Sequence, residues 1–285
     1  MIDWFADAFA SDLTQRALLA GLLAAVTTSL VGTWVVVRGL SFMGDALAHG
    51  VLPGIAVAFL WGFDTTLGAL VSAAIMVGGI NLVHQRARLT TDTGIGLLFV
   101  GMLALAVIIV SREDTFAGSL TSFLFGDILG VRNSDLRLQV IVAAVAVVAV
   151  VALYRPLLAL SFNREKAAAL GQRPGLAHAA MLTLLALSIV ASFRAVGTLL
   201  VFGLLVAPPA TATLLVRRLP AVMVTSVALG CVAVVVGLAA SFHAHTAAGA
   251  TVAGVAVAQF FAALTARELW RGLANHWAPV DASAT

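Results

Sequence analysis

The sequence contains one cysteine, one lysine and few charges, with only 10% of residues being Asp, Glu, Lys or Arg. A single cysteine, Cys231, excludes an intrachain disulfide, and its place inside an apolar run makes it a packing residue. The single lysine, Lys166, is not preceded by a Gly-x-x-x-x-Gly phosphate loop, so the chain does not bind ATP in the P-loop manner. Neither a His-Glu-x-x-His helix nor a Gly-x-Ser-x-Gly turn is present, which argues against an enzyme of either design. The opening Met1-Ile2-Asp3-Trp4-Phe5-Ala6-Asp7 is acidic and lacks the basic start of a cleavable signal peptide. The first apolar run is therefore expected to serve as its own targeting signal.

What the chain has in abundance is apolar length. Hydrophobic residues make up 61% of it, and runs of about 20 such residues, enough to cross a bilayer as helix, recur from end to end. Spans are expected at about 16–37, 41–60, 65–83, 94–110, 137–154, 176–193, 197–216, 221–240 and 247–266. This predicts an all-α, polytopic integral membrane protein with eight or nine crossings and no soluble domain. The sixth and seventh spans could divide differently around Arg194-Ala195-Val196-Gly197. The stretch Leu120 to Val131 is too short to cross, carries Asp127, and reads as an interfacial or re-entrant piece.

Orientation follows from the basic residues. Alternate loops hold Arg38; Arg86 and Arg88; Arg155, Arg164, Lys166 and Arg173; Arg217 and Arg218; and Arg267 and Arg271, which is 11 of the 16. The positive-inside rule makes these loops cytoplasmic and puts the N-terminus outside. The resulting division is an extracytoplasmic segment 1–15, a transmembrane domain 16–266 and a cytoplasmic tail 267–285.

Within the second span lies Phe42-Met43-Gly44-Asp45-Ala46-Leu47-Ala48-His49-Gly50-Val51-Leu52-Pro53-Gly54. An ionisable residue at the bilayer centre costs about 3 kcal/mol on insertion scales, so a chain that retains one usually uses it. Asp45 and His49 are four residues apart, on one face of a helix, where a carboxylate and an imidazole can converge on one small cation. A structural hydrogen bond between helices and a proton relay are the other uses of such a pair. Metal handling is favoured by what surrounds it. Pro53 has no N–H for the carbonyl of His49, and Gly44, Gly50 and Gly54 let another helix approach closely. Pro208 and Pro209 predict a second helix break in the seventh span by freeing the carbonyls of Leu204 and Leu205. Two broken helices suggest a pathway through the protein.

Other polar groups are read more plainly. His243 and His245, at the outer end of the eighth span, could collect a divalent cation as it arrives, although i and i+2 diverge on a helix. His84, His178 and His276 read as cytoplasmic surface residues, and Arg194 as a helix-end or headgroup contact. The cytoplasmic stretch of about 156–175 is too long for a turn and has a helix-forming core ended by Gly171. It could dock a soluble partner or rest on the membrane.

Several of these segments resemble, in order, the permease subunits of bacterial ABC importers for zinc, manganese or iron. The resemblance is carried by Phe42 to Gly54, by Leu124-Phe125-Gly126-Asp127-Ile128-Leu129, by Glu165 to Gly171, and by Arg194 to Phe202 running into Ala207-Pro208-Pro209-Ala210-Thr211-Ala212. It implies a permease of the type II ABC importer kind in the bacterial plasma membrane. Such a permease forms a homodimer, binds two cytoplasmic ATPase subunits and accepts metal from an extracytoplasmic solute-binding protein. The implied metal ligands are Asp45 and His49, the implied ATPase-coupling residues are Phe162, Glu165, Ala168, Leu170 and Gly171, and the implied gating positions are Pro53, Pro208 and Pro209. No permanent cofactor and no nucleic-acid partner is implied; Zn2+, or Mn2+ or Fe2+, is the cargo. Where many relatives have an aspartate and a proline, this chain has His245 and Ala247. It looks most similar to the zinc-importing branch, and histidines at the mouth suit a cation that takes nitrogen ligands.

Overall fold

The computed structural model describes residues 8–86, 91–111, 130–162 and 171–276; for 84, 85, 91, 194, 195 and 272–276 it describes the backbone alone. Every regular element among them is a helix: α1 Asp12–Val37, α2 Ser41–Gly50, α3 Leu52–Trp61, α4 Thr65–Arg86, α5 Thr91–Val110, α6 Asn133–Ala152, α7 Tyr154–Phe162, α8 Pro174–Val196, α9 Thr198–Leu215, α10 Leu219–Ala244 and α11 Ala248–His276. Nine spans among the described residues are long and apolar enough to cross a membrane, with α2 and α3 together forming the second. Among the described residues this matches the larger of the two expected counts.

The helices overrun the apolar stretches because polar residues, not hydropathy, set their ends. Ser11 caps α1, its hydroxyl accepting the Thr14 N–H at 3.2 Å, so the helix starts before Arg16. Asp135 accepts the Arg132 N–H at 3.1 Å and begins α6 at Asn133. Pro174 and Pro220 occupy first turns, where a missing N–H costs nothing. Between α8 and α9 the chain turns at Gly197, whose φ of 80° excludes side chains, and this fixes the division left open near Arg194. The side chain of Arg194, like those of His84 and His276, lies outside the described residues.

Helices in lipid gain nothing from burying apolar surface against each other, so close backbone approach and hydroxyl bonds hold the bundle. A methyl group on Gly32 of α1 would collide with the Leu205 carbonyl of α9, and Gly54 and Gly68 press α3 and α4 together in the same way. The expected break at Pro208 and Pro209 does not form: α9 is helical throughout, with both prolines inside it. The neighbouring helix explains why. The Ser29 hydroxyl of α1 donates to the Leu204 carbonyl at 3.4 Å, and Gly32 packs against that of Leu205. The two oxygens that the prolines free are thus covered from α1, and the helix continues.

The main core joins Trp34, Met43, Leu47, Ile95, Met181 and Leu185 from α1, α2, α5 and α8. His178 belongs beside this core and not on the surface: it is 7% exposed, and its Nδ1 lies 3.4 Å from Arg38 Nη1. Arg38 also reaches the Met181 sulfur at 3.1 Å, so the C-terminal end of α1 is tied to α8. Cys231 is half-buried and packs against the second core cluster.

Candidate functional site

Phe42, Asp45 and His49 share one face of α2, at spacings of three and four residues. The remaining flank of the helix is buried at Met43, Gly44, Ala46, Leu47, Ala48 and Gly50, so this polar face is the one left open. His49 Nε2 lies 3.5 Å from Asp45 Oδ1, with the two side chains 24% and 30% exposed respectively. Two ligands each about 2.1 Å from a tetrahedral ion are about 3.4 Å apart, so the pair already has the spacing of one edge of such a shell. The other ring nitrogen, Nδ1, is buried without a hydrogen-bond partner.

The imidazole is held by an aromatic wall. Phe99 of α5 presents its ring edge-on at 5.6 Å from His49, and Phe42 lies 5.8 Å from the same Phe99 ring. Neither phenylalanine stands out in the sequence, because an apolar residue in an apolar span carries no signal of what it touches. The same holds for Ser72 of α4, which is 3% exposed and donates to the Gly50 carbonyl at 2.7 Å.

That bond sits at the break in the second span. Helix α2 ends at Gly50, Val51 bridges, and α3 restarts at Leu52 with Pro53 in its first turn. The sequence points to the His49 carbonyl as the oxygen left wanting; the hydroxyl in the structure arrives at the next one, from a different helix. Packing explains the position. Gly54 and Gly68 let α3 and α4 meet at backbone distance, and the Met76 side chain takes the space a side chain at Gly50 would need, which brings Ser72 into reach.

Among the described residues no group of three or more His, Cys, Asp or Glu could hold a metal ion. Among the described residues the Asp45–His49 pair therefore stands as two potential ligands without a third beside them. His243 is exposed on the last turn of α10, its ring 5.3 Å from that of Phe242, and His245 follows as the helix cap with a left-handed φ of 52°. The cap is closed by Thr246, whose N–H reaches the Ser241 carbonyl at 3.2 Å and whose carbonyl accepts the Ser241 hydroxyl at 2.6 Å. His245 is thus outside the helix, which lifts the objection that i and i+2 must diverge.

Of the residues expected to couple to an ATPase, Phe162 ends α7 and is 83% exposed, and Gly171 has a φ of 73°. Glu165, Ala168 and Leu170 lie outside the described residues, as do Asp127 and most of the stretch expected to be re-entrant. Helix α7 begins directly after α6 and buries Leu157 and Leu160 against the main core, so this part of the segment expected to be cytoplasmic is anchored to the bundle.

The chain matches the family model described as ABC 3 transport family over residues 10–267. It is 34% identical over 249 residues to the manganese transport system membrane protein MntC of Listeria monocytogenes, covering 87% of this chain and 89% of that one. It is 33% identical over 256 residues to the chelated iron transport system membrane protein YfeD of Yersinia pestis, covering 90% and 86%. Among solved structures, PsaBC from Streptococcus pneumoniae, in complex with Fab, superposes with a TM-score of 0.82 at 31% identity, over 92% of this chain and 95% of that one. The chain belongs to the ABC 3 transport family, as a multi-pass permease of the bacterial plasma membrane.

Proposed function

We propose that this permease carries a divalent transition metal into the cell and that the ion is held in transit by Asp45 and His49. The observation that carries the reading is the pair itself: a carboxylate oxygen and an imidazole nitrogen 3.5 Å apart on the open face of a split membrane helix. The names of the relatives support metal as the cargo class. Two ligands make half a shell, so two copies related by a two-fold axis along the membrane normal would supply two carboxylates and two imidazoles. Zinc accepts that four-coordinate nitrogen and oxygen set, and His243 and His245 at the outer mouth would offer the arriving ion further nitrogen. Manganese or iron is the second reading, favoured by the relatives named for those metals.

If the transport is driven by ATP, the ATPase must be another chain, because this one has no phosphate loop. Two cytoplasmic ATPase subunits would engage the segment from Phe162 to Gly171, and an extracytoplasmic binding protein would deliver the ion. ATPase closure would move the segment that includes α7, and through the core it shares with α2 would expose the pair alternately to the two sides. The break at Val51 gives α2 freedom to move relative to α3.

Metal accumulation in a strain lacking this permease, with zinc, manganese and iron supplied singly, tests the cargo. Restoration of zinc uptake by the native chain and not by Asp45→Ala supports the full reading. Restoration of manganese or iron alone replaces zinc with the second reading. Unchanged uptake by Asp45→Ala overturns the site. Transport by the purified chain without any ATPase overturns the ABC mechanism in favour of an ion-driven carrier.

A further inference from the structure

Away from the metal-binding face, α1, α6, α7 and α10 enclose an apolar groove of about 610 Å³. Leu30, Val151, Met223 and Val224 form its walls, and Tyr154 and Arg155 stand at one end. Tyr154 is fixed there by edge-on contact with the buried Trp34, ring centroids 5.7 Å apart. None of the lining residues is acidic, and none belongs to α2, α4 or α5, the helices that build the Asp45–His49 site. Val151 and Val224 are more than 70% exposed, so the groove opens outwards from the bundle.

Charge collects at the same end. Arg155 is exposed, and exposed Arg217 and Arg218 lie just before Pro220, another lining residue, at the start of α10. An apolar slot lined by a tyrosine and an arginine, with two more exposed arginines just before its lining residue Pro220, matches a lipid by both halves: an apolar chain in the slot and a phosphate at the arginines. We propose that the groove holds an anionic phospholipid of the cytoplasmic leaflet. Its acyl chain lies between α1, α6 and α10, and its phosphate sits among Arg155, Arg217 and Arg218. A zwitterionic lipid would fill the slot equally well but would forgo the net attraction, so the site selects by headgroup charge.

Native mass spectrometry of the full-length chain, incubated with phosphatidylglycerol or phosphatidylcholine, provides the test. Phosphatidylglycerol should be retained in preference. One arginine near a membrane surface is worth about fivefold in anionic-lipid binding, so Arg155→Ala should reduce retention about fivefold and Arg155→Ala with Arg218→Ala about 25-fold. Val224→Trp, at an exposed wall position, should displace the lipid while leaving every arginine in place. Equal retention of both lipids, or retention unaffected by Val224→Trp, overturns the proposal. So does efficient cross-linking between two copies carrying Val224→Cys with Cys231→Ser, which would make the groove a protein interface.

Discussion

Asp45 and His49 acquire their chemistry from position as much as from type. Each is a quarter to a third exposed on a helix otherwise buried, so the pair faces a space from which an ion can arrive. Asp45→Ala or His49→Ala is expected to lower metal affinity by more than the 10- to 100-fold typical of losing a supporting group. Assembly and basal ATP hydrolysis should be kept, which co-purification with the ATPase and a phosphate-release assay would check. Phe99 has a subtler part, its ring packed edge-to-face with the imidazole at a centroid separation of 5.6 Å. Phe99→Ala should weaken metal binding about tenfold, and Phe99→Leu should restore less of it than Phe99→Tyr, as isothermal titration of the purified assembly would read. A result in which all three variants bind like the native chain would show that Phe99 only fills space.

The second span differs from its neighbours as an element. Its N-terminal half, α2, packs within the main core, whereas its C-terminal half, α3, is pressed onto α4 at Gly54 and Gly68. A side chain at either glycine must push two backbones apart. Gly54→Ala or Gly68→Ala is expected to cost about 1–3 kcal/mol, read as a lowered midpoint of thermal unfolding in detergent, with a fall in transport. Ser72→Ala removes a single hydroxyl from the break, and such bonds in membrane proteins average only about 0.6 kcal/mol. Its thermal midpoint should barely change. If Ser72 positions the break, transport should fall while stability holds; if both stay at native levels, the bond is incidental. The contrast with α9 is instructive, since two adjacent prolines leave it unbroken where α1 covers the freed carbonyls.

For the molecule as a whole, an ion held by a carboxylate and a neutral imidazole competes with protons for both. Metal ligands bind in their deprotonated forms, so if this pair holds the ion its metal affinity should fall on acidification, which uptake into proteoliposomes at a series of external pH values would measure. A pH-independent uptake would argue against these ligands. If two copies complete one shell, a covalently linked pair carrying Asp45→Ala in one half should lose most uptake rather than half. Retention of half would mean that each copy works alone.

Much of this was legible in the sequence. The positions of the membrane-spanning helices, to within one crossing, follow from the length and spacing of the apolar runs, and the Asp45–His49 proximity follows from helical periodicity, because each is a property of local chain. Tertiary structure decided the rest. Whether a proline breaks a helix depends on what a neighbouring helix offers the orphaned carbonyl, and that is why Pro53 sits at a break and Pro208 and Pro209 do not. His178 is buried because α1 brings Arg38 against it across 140 residues of chain. Ser72, Phe99 and the groove beneath Arg155 are likewise products of helices meeting: a serine, a phenylalanine and a run of valines carry no pattern until something packs against them.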